Sequence, residues 1–163
     1  MKKISSEELE EILKAHALWV WSEKRGGCRA DLQGVDLSRS DLSGANLYKA
    51  NLSNTNLSGA KLSEAELSGA NFSGADLQVA DLRGANLSGV NLIKANLSFA
   101  DLYKADLSGA DLTGADLYYT SFWGAILYKA DLRVATAKDC WIKGAKFSSP
   151  KDRARLLMLG AWE

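Results

Sequence analysis

With 20 Lys plus Arg against 20 Asp plus Glu, this 163-residue chain carries no net charge and lacks the basic excess of a nucleic-acid binder. No apolar run approaches the roughly 18 residues that cross a membrane, and two distant cysteines, Cys28 and Cys140, are too few for a disulfide framework. What is left is one soluble domain, expected in the cytoplasm with its thiols reduced and with neither nucleic acid nor membrane among its partners.

The first predicted element is a helix. Met1-Lys2-Lys3 is followed by Glu7 and Glu8, which is unlike a secretory leader. Ser5 with Glu8 three residues later reads as an N-cap. Leu9, Ile12, Leu13, Ala17 and Val20 fall near one helical face, and Gly26-Gly27 stops the helix. Leu18-Trp19-Val20-Trp21 is apolar all round and is expected to be buried against whatever follows. Residues 1–29 are read as an N-terminal helical cap.

From Leu32 to Phe147 every fifth residue is apolar, without one insertion or deletion, giving 24 consecutive units of the form A-(D/N)-L-x-x. A period of five fits neither helix nor strand and signals a solenoid, in which each unit is buried only by stacking on its neighbours. Calling the central residue i, that position is Leu in 19 units, and i−2 is Ala in 18. One large and one small inward residue per unit predict a narrow, uniform interior. Position i−1 is Asp or Asn in 17 units, and i+2 is Gly in 11. These are turn-forming residues, so each unit should be one short bonded segment and one corner.

The run from Ala30 to about Ser149 resembles the pentapeptide repeat family. The resemblance implies an all-β solenoid, a right-handed quadrilateral β-helix with four units per coil and about six coils over residues 30–149. Beyond it, Ser149-Pro150-Lys151-Asp152 reads as N-cap, Pro at N1 and an acid at N3. Leu156, Leu157, Met158 and Leu159 follow, then Gly160 and Trp162. Residues 150–163 are read as a C-terminal helical cap. Four consecutive apolar residues occupy more than one helix face, so Leu156–Leu159 and Trp162 either cap a monomer or carry a homodimer through this end.

Nothing in the chain points to catalysis. His16 is the only histidine and has no Cys, Asp or Glu at metal-ligand spacing. Cys140 falls on an inward i−2 position and reads as a structural thiol. The many Asp and Ser residues satisfy the repeat, and the glycines, mostly spaced in multiples of five, form no phosphate loop. The expectation is a protein without enzymatic activity, metal or cofactor.

Stacking four units per coil places residues 20 apart in vertical columns. One outward i+2 column reads Arg39, Gly59, Val79, Phe99, Tyr119, Asp139, and the neighbouring i+1 column reads Ser43, Ser63, Arg83, Tyr103, Trp123, Lys143. With Tyr118 beside Tyr119, the residues Val79, Arg83, Phe99, Tyr103, Tyr118, Tyr119 and Trp123 are expected along one edge of the C-terminal coils. Exposed aromatics with an Arg match the composition of interface cores. A ladder of rings shielding the coil edges fits the same residues. The leading functional reading is a rigid interaction module with an unknown protein partner. The alternative implied by the resemblance is a DNA mimic acting on a type II topoisomerase (gyrase), as in some family members. Residues 31–149 hold 13 Asp/Glu against 11 Lys/Arg, no face is continuously acidic, and no long loops interrupt the coils, all of which disfavour it.

Overall fold

The computed structural model describes residues 1–133 and 135–163. Its repeating bond pattern follows from the five-residue unit. In Leu97–Asp101, the Leu97 N–H donates to the Asp116 carbonyl (2.8 Å), Phe99 N–H to Tyr118 (2.8 Å) and Asp101 N–H to Ala80 (3.0 Å). The Ala100 N–H closes the corner on the Leu97 carbonyl at 2.9 Å. The fifth N–H, that of Ser98, goes to Oδ1 of Asn96 at 3.1 Å. Asp or Asn is therefore wanted at i−1 because it takes the one amide with no backbone partner, and a buried or half-buried amide left unpaired is costly. Side-chain amides add a second ladder: Asn51 Nδ2 donates to Asp31 (2.8 Å), and Asn96 Nδ2 to Asp76 (3.1 Å).

Parallel bridges join residues 20 apart, from Asp31↔Asn51 to Ser121↔Trp141, in four columns. The chain thus rises one coil per four units, with four sides. The Leu and Ala positions form one continuous buried cluster from Ala30 to Ile142. Exceptions at the small i−2 position are accommodated by hydrogen bonds: the hydroxyls of Thr55 and Thr120 donate to the carbonyls of Leu32 (2.7 Å) and Leu97 (2.8 Å).

Both ends combine a helix with added strand. Strand β1 (Lys2–Lys3) pairs in parallel with β2 (Val35–Asp36) on the first coil. Helix α1 (Ser6–Trp21) follows, with the Ser5 hydroxyl accepting the Glu8 N–H. Ile4, Leu9, Ile12 and Leu13 pack on the core. The expectation for Leu18–Trp21 is corrected here. Trp19 and Val20 are half-buried, but Leu18 is exposed and Trp21 is 85% exposed. A helix lying on a coil end buries one stripe only, and these two residues fall outside it. His16 is the residue that reaches inward: its Nδ1 accepts the Ala30 N–H at 3.0 Å, and its ring stacks on Trp19.

At the other end, β3 (Ile126–Leu127) pairs with β4 (Lys146–Phe147). Helix α2 (Pro150–Met158) opens with a capping box between Ser149 and Asp152. Leu156 drops fully into the core cluster, whereas Met158 is 89% exposed. After α2 the chain turns at Gly160 and returns as strand: Trp162 N–H donates to Cys140 (2.7 Å), and Ile142 N–H to Trp162 (2.8 Å). The segments expected as helical caps therefore also extend the bridge columns by one level at each end.

Candidate ligand-binding trough

Among the described residues, each corner from Gly34 to Gly144 places its i+2 residue at positive φ, as in a type II turn. Glycine fits there freely; a side chain, above all a β-branched one, is strained. A second rule governs the columns. Above Arg39, Lys49, Asn54, Glu64, Lys94 and Lys104 the next coil carries Gly59, Gly69, Gly74, Gly84, Gly114 and Gly124, and a Cβ at each would meet the side chain below it. Glycine follows above each of these side chains because the side chain lies across the corner one coil higher.

One column instead stacks side chain on side chain. Val79, Phe99 and Tyr119 stand one above another at φ 60°, 61° and 53°, with exposures of 60%, 49% and 43%. Phe99 stacks on Tyr119 at 5.4 Å, and Tyr118 meets both rings edge-on. On the adjacent column Tyr103 and Trp123 meet at 6.3 Å. Lys104 Nζ lies 4.9 Å from the Tyr103 ring and Lys143 Nζ 5.5 Å from Trp123.

Between the two aromatic columns runs a trough of about 550 Å³, with Phe99 and Tyr119 on one wall and Trp123 and Lys143 on the other. Its floor is the i−1 column, Asp101, Ser121 and Trp141, and Glu163 stands at its C-terminal end. Trp141 stacks on Trp162 at 6.1 Å, and Trp162 is fixed by its indole N–H donating to Asp139 at 2.9 Å. Asp101 gives Oδ1 to the Tyr103 N–H (3.0 Å), while its Oδ2 has the Arg83 guanidinium only at 3.9 Å. Arg83 is engaged by Asp81, at 2.6–2.7 Å through Nη2 and Nε, and that bond holds the Asp81 carboxyl below its ordinary range.

The anticipated residues thus fall on two walls with a floor between them. Val79 extends the Phe99 wall, Tyr118 buttresses it, and Arg83 is committed to Asp81 at the N-terminal end. Trp141, Asp101, Ser121 and Glu163 escaped the sequence reading. Trp141 carried a signal: it stands at i−1, where the repeat asks for Asp or Asn. Of the C-terminal residues, Leu156 is core and Leu157 half-buried, whereas Met158, Leu159 and Trp162 are exposed. Burial pushes the Cys140 thiol up to about 12, which makes it inert. Among the described residues no group of His, Cys, Asp and Glu is arranged to hold a metal, and no helix is long and apolar enough to cross a membrane.

A family model described as pentapeptide repeats matches in 8 copies, over residues 28–63, 40–78, 70–109, 80–117, 95–133 and 110–148. Among solved structures the chain is similar to HetL, a pentapeptide repeat protein involved in heterocyst differentiation regulation in the cyanobacterium Nostoc sp. They are 34% identical over 79% of this chain and 67% of that one, with a TM-score of 0.41. A pentapeptide repeat protein of the Arabidopsis thaliana thylakoid lumen is 24% identical over 79% and 80%, with a TM-score of 0.49. QnrB1, a plasmid-mediated fluoroquinolone resistance protein, is 19% identical over 80% and 90%, with a TM-score of 0.43. No curated protein matches the chain.

Proposed function

The chain belongs to the pentapeptide repeat family, and we propose on that premise that it is a rigid, non-enzymatic interaction module that holds a protein partner in its aromatic trough. In this reading the 24 units make six right-handed coils whose closed ends keep the rod stiff and monodisperse. The observation that carries it is the column Val79, Phe99, Tyr119. Side chains at positive φ cost about 1–2 kcal/mol each relative to glycine, the repeat offers glycine at that position elsewhere, and the rings so placed stay exposed. Backbone strain retained for the sake of exposed rings is what a contact surface requires. A structural role alone would be served by glycine above each side chain, as over Arg39, Lys49, Asn54, Glu64, Lys94 and Lys104. A cytoplasmic setting accords with Cys28, an exposed unpaired thiol.

The test is affinity capture from lysate of the source cell. Wild type is compared with Phe99→Gly/Tyr119→Gly/Trp123→Ser, which restores repeat residues at all three positions and should fold, as circular dichroism will verify. A protein retained by wild type and lost from the variant supports the trough as the site. Equal retention overturns it and moves the contact to the C-terminal end around Met158 and Leu159.

A further inference from the structure

Along most of the flank of the solenoid the amides are already taken. In Leu97–Asp101 every N–H is taken by the adjacent coil, the corner or Asn96. In the trough, where Ser121 and Trp141 replace Asp or Asn, the Trp123 and Lys143 N–H groups lack an acceptor among the described residues; two amides one coil apart cannot receive an added strand, and recognition falls mainly to side chains. The trough narrows that recognition to one chemistry. Its floor has a gap at Ser121, a small residue between Asp101 and Trp141 one coil away on either side. Trp162 covers the face of Trp141 that looks towards the chain end, so the other face looks back over Ser121 towards Asp101. At about 4.8 Å per coil the gap is roughly 9.6 Å deep, with Tyr119 and Trp123 at its sides. A flat group stacked on Trp141 would lie over Ser121, with Asp101 Oδ2, the under-partnered carboxylate oxygen, on its far side. Tyr103 and Trp123 already have lysines over them; among the described residues Trp141 has none.

From this slot, and resting on the trough being the partner site, we infer that the group received is an arginine side chain of the partner protein. Guanidinium is planar, weakly hydrated and always charged, so it can stack on an indole and pair with a carboxylate in the same pose. An ammonium has no plane to stack on the indole, and an anion would face Asp101 and Glu163. Among the described residues Lys143 is the one cation lining the trough. Held over Trp123, it repels the incoming charge and thereby gives the inference a sign. An arginine site is improved by removing Lys143; an anion site is lost.

The probe is a short glycine peptide with one central arginine, titrated into the full chain and followed by tryptophan fluorescence and the indole N–H resonance of Trp141. Its citrulline and lysine counterparts serve as neutral and non-planar controls. Asp101→Asn keeps and Trp141→Asn restores a repeat residue at i−1, so each should fold while losing the counter-charge or the stacking plane. Saturable binding of the arginine peptide is expected. Citrulline, lysine and either variant should weaken it by about tenfold, and Lys143→Gln should tighten it by about threefold. No saturable binding, equal binding of citrulline, or weaker binding by Lys143→Gln overturns the assignment. If the captured partner is lost from the Phe99/Tyr119/Trp123 variant but kept by Asp101→Asn and Trp141→Asn, the trough stands as the site and arginine does not. If all variants keep it, the trough itself fails.

Discussion

The N-terminal and C-terminal coils share one interior and differ on the outside. Leu52 and Leu112 sit in equivalent, fully buried positions, and the backbone bonds around them repeat to within a few tenths of an ångström. Outside, the column that begins Arg39, Gly59 sets glycine above a side chain, then abandons that order at Val79, Phe99 and Tyr119. The interior is dictated by stacking and leaves no choice. The corners are free to vary up to the cost of positive φ, and among the described residues only the column through Val79, Phe99 and Tyr119 stacks side chains there in unbroken succession.

The largest effect should come from an interior change, and it should ignore the distinction between halves. Leu87→Lys places a charge in a fully packed, anhydrous core and should cost more than about 4 kcal/mol; circular dichroism is expected to show no folded state, and a cooperative melt near that of wild type would refute the stacked core. Leu156→Ala should cost about 2–5 kcal/mol. Hydrogen exchange should then rise in the last coil first and leave Leu52 and its neighbours protected. Uniform loss of protection would mean that the halves unfold as one unit.

Acidification should separate the ends in the opposite sense. Burial, aided by the charge of Arg29, lowers the His16 pKa below its ordinary 6.5. The folded state thus favours neutral imidazole, whose Nδ1 accepts from Ala30. That contribution is complete above about pH 6.5 and is lost as the pH falls through the folded pKa. The lowered carboxyls of Glu66, Asp81 and Asp131 give way only below their ordinary range near pH 4. Between about pH 7 and 5, amide protection should therefore fall in α1 and Ala30 before the C-terminal coils respond, and His16→Gln should abolish that pH dependence. The smallest effect is a gain. Val79→Gly removes the αL strain of a β-branched residue at the cost of a floppier unfolded chain, a net stabilisation of about 0.5–1 kcal/mol in a denaturant midpoint. The reverse change at Gly59, in the obedient part of the same column, should destabilise.

Residue periodicity made the interior legible in full, because a large and a small residue alternate inward in nearly every unit and a single slip would have been visible. The columns were legible for the same reason, which is why Phe99, Tyr119, Tyr103 and Trp123 could be placed on neighbouring columns along one edge from the sequence. The floor was not. Trp141 occupies a position whose ordinary job is a turn hydrogen bond, and a residue that declines that job leaves no pattern of its own. The ends were read least well. The period stops at Phe147, so nothing in the spacing announces that Trp162 returns to pair with Cys140 and Ile142, or that Lys2–Lys3 extends the first coil. Leu18 and Trp21 looked buried because composition was the only guide where the register was silent.

The strict 20-residue register also sets a rule for how such a surface can be edited. Removing one whole coil shortens the rod and leaves every later residue on its own wall. Removing a single unit rotates everything after it by a quarter turn. Within the aromatic segment, that would send Tyr119 and Trp123 to different sides from Phe99 and Tyr103, although every residue remained and the core stayed filled. The site is therefore written in a count modulo four, and a change of length can erase it without touching any of its residues.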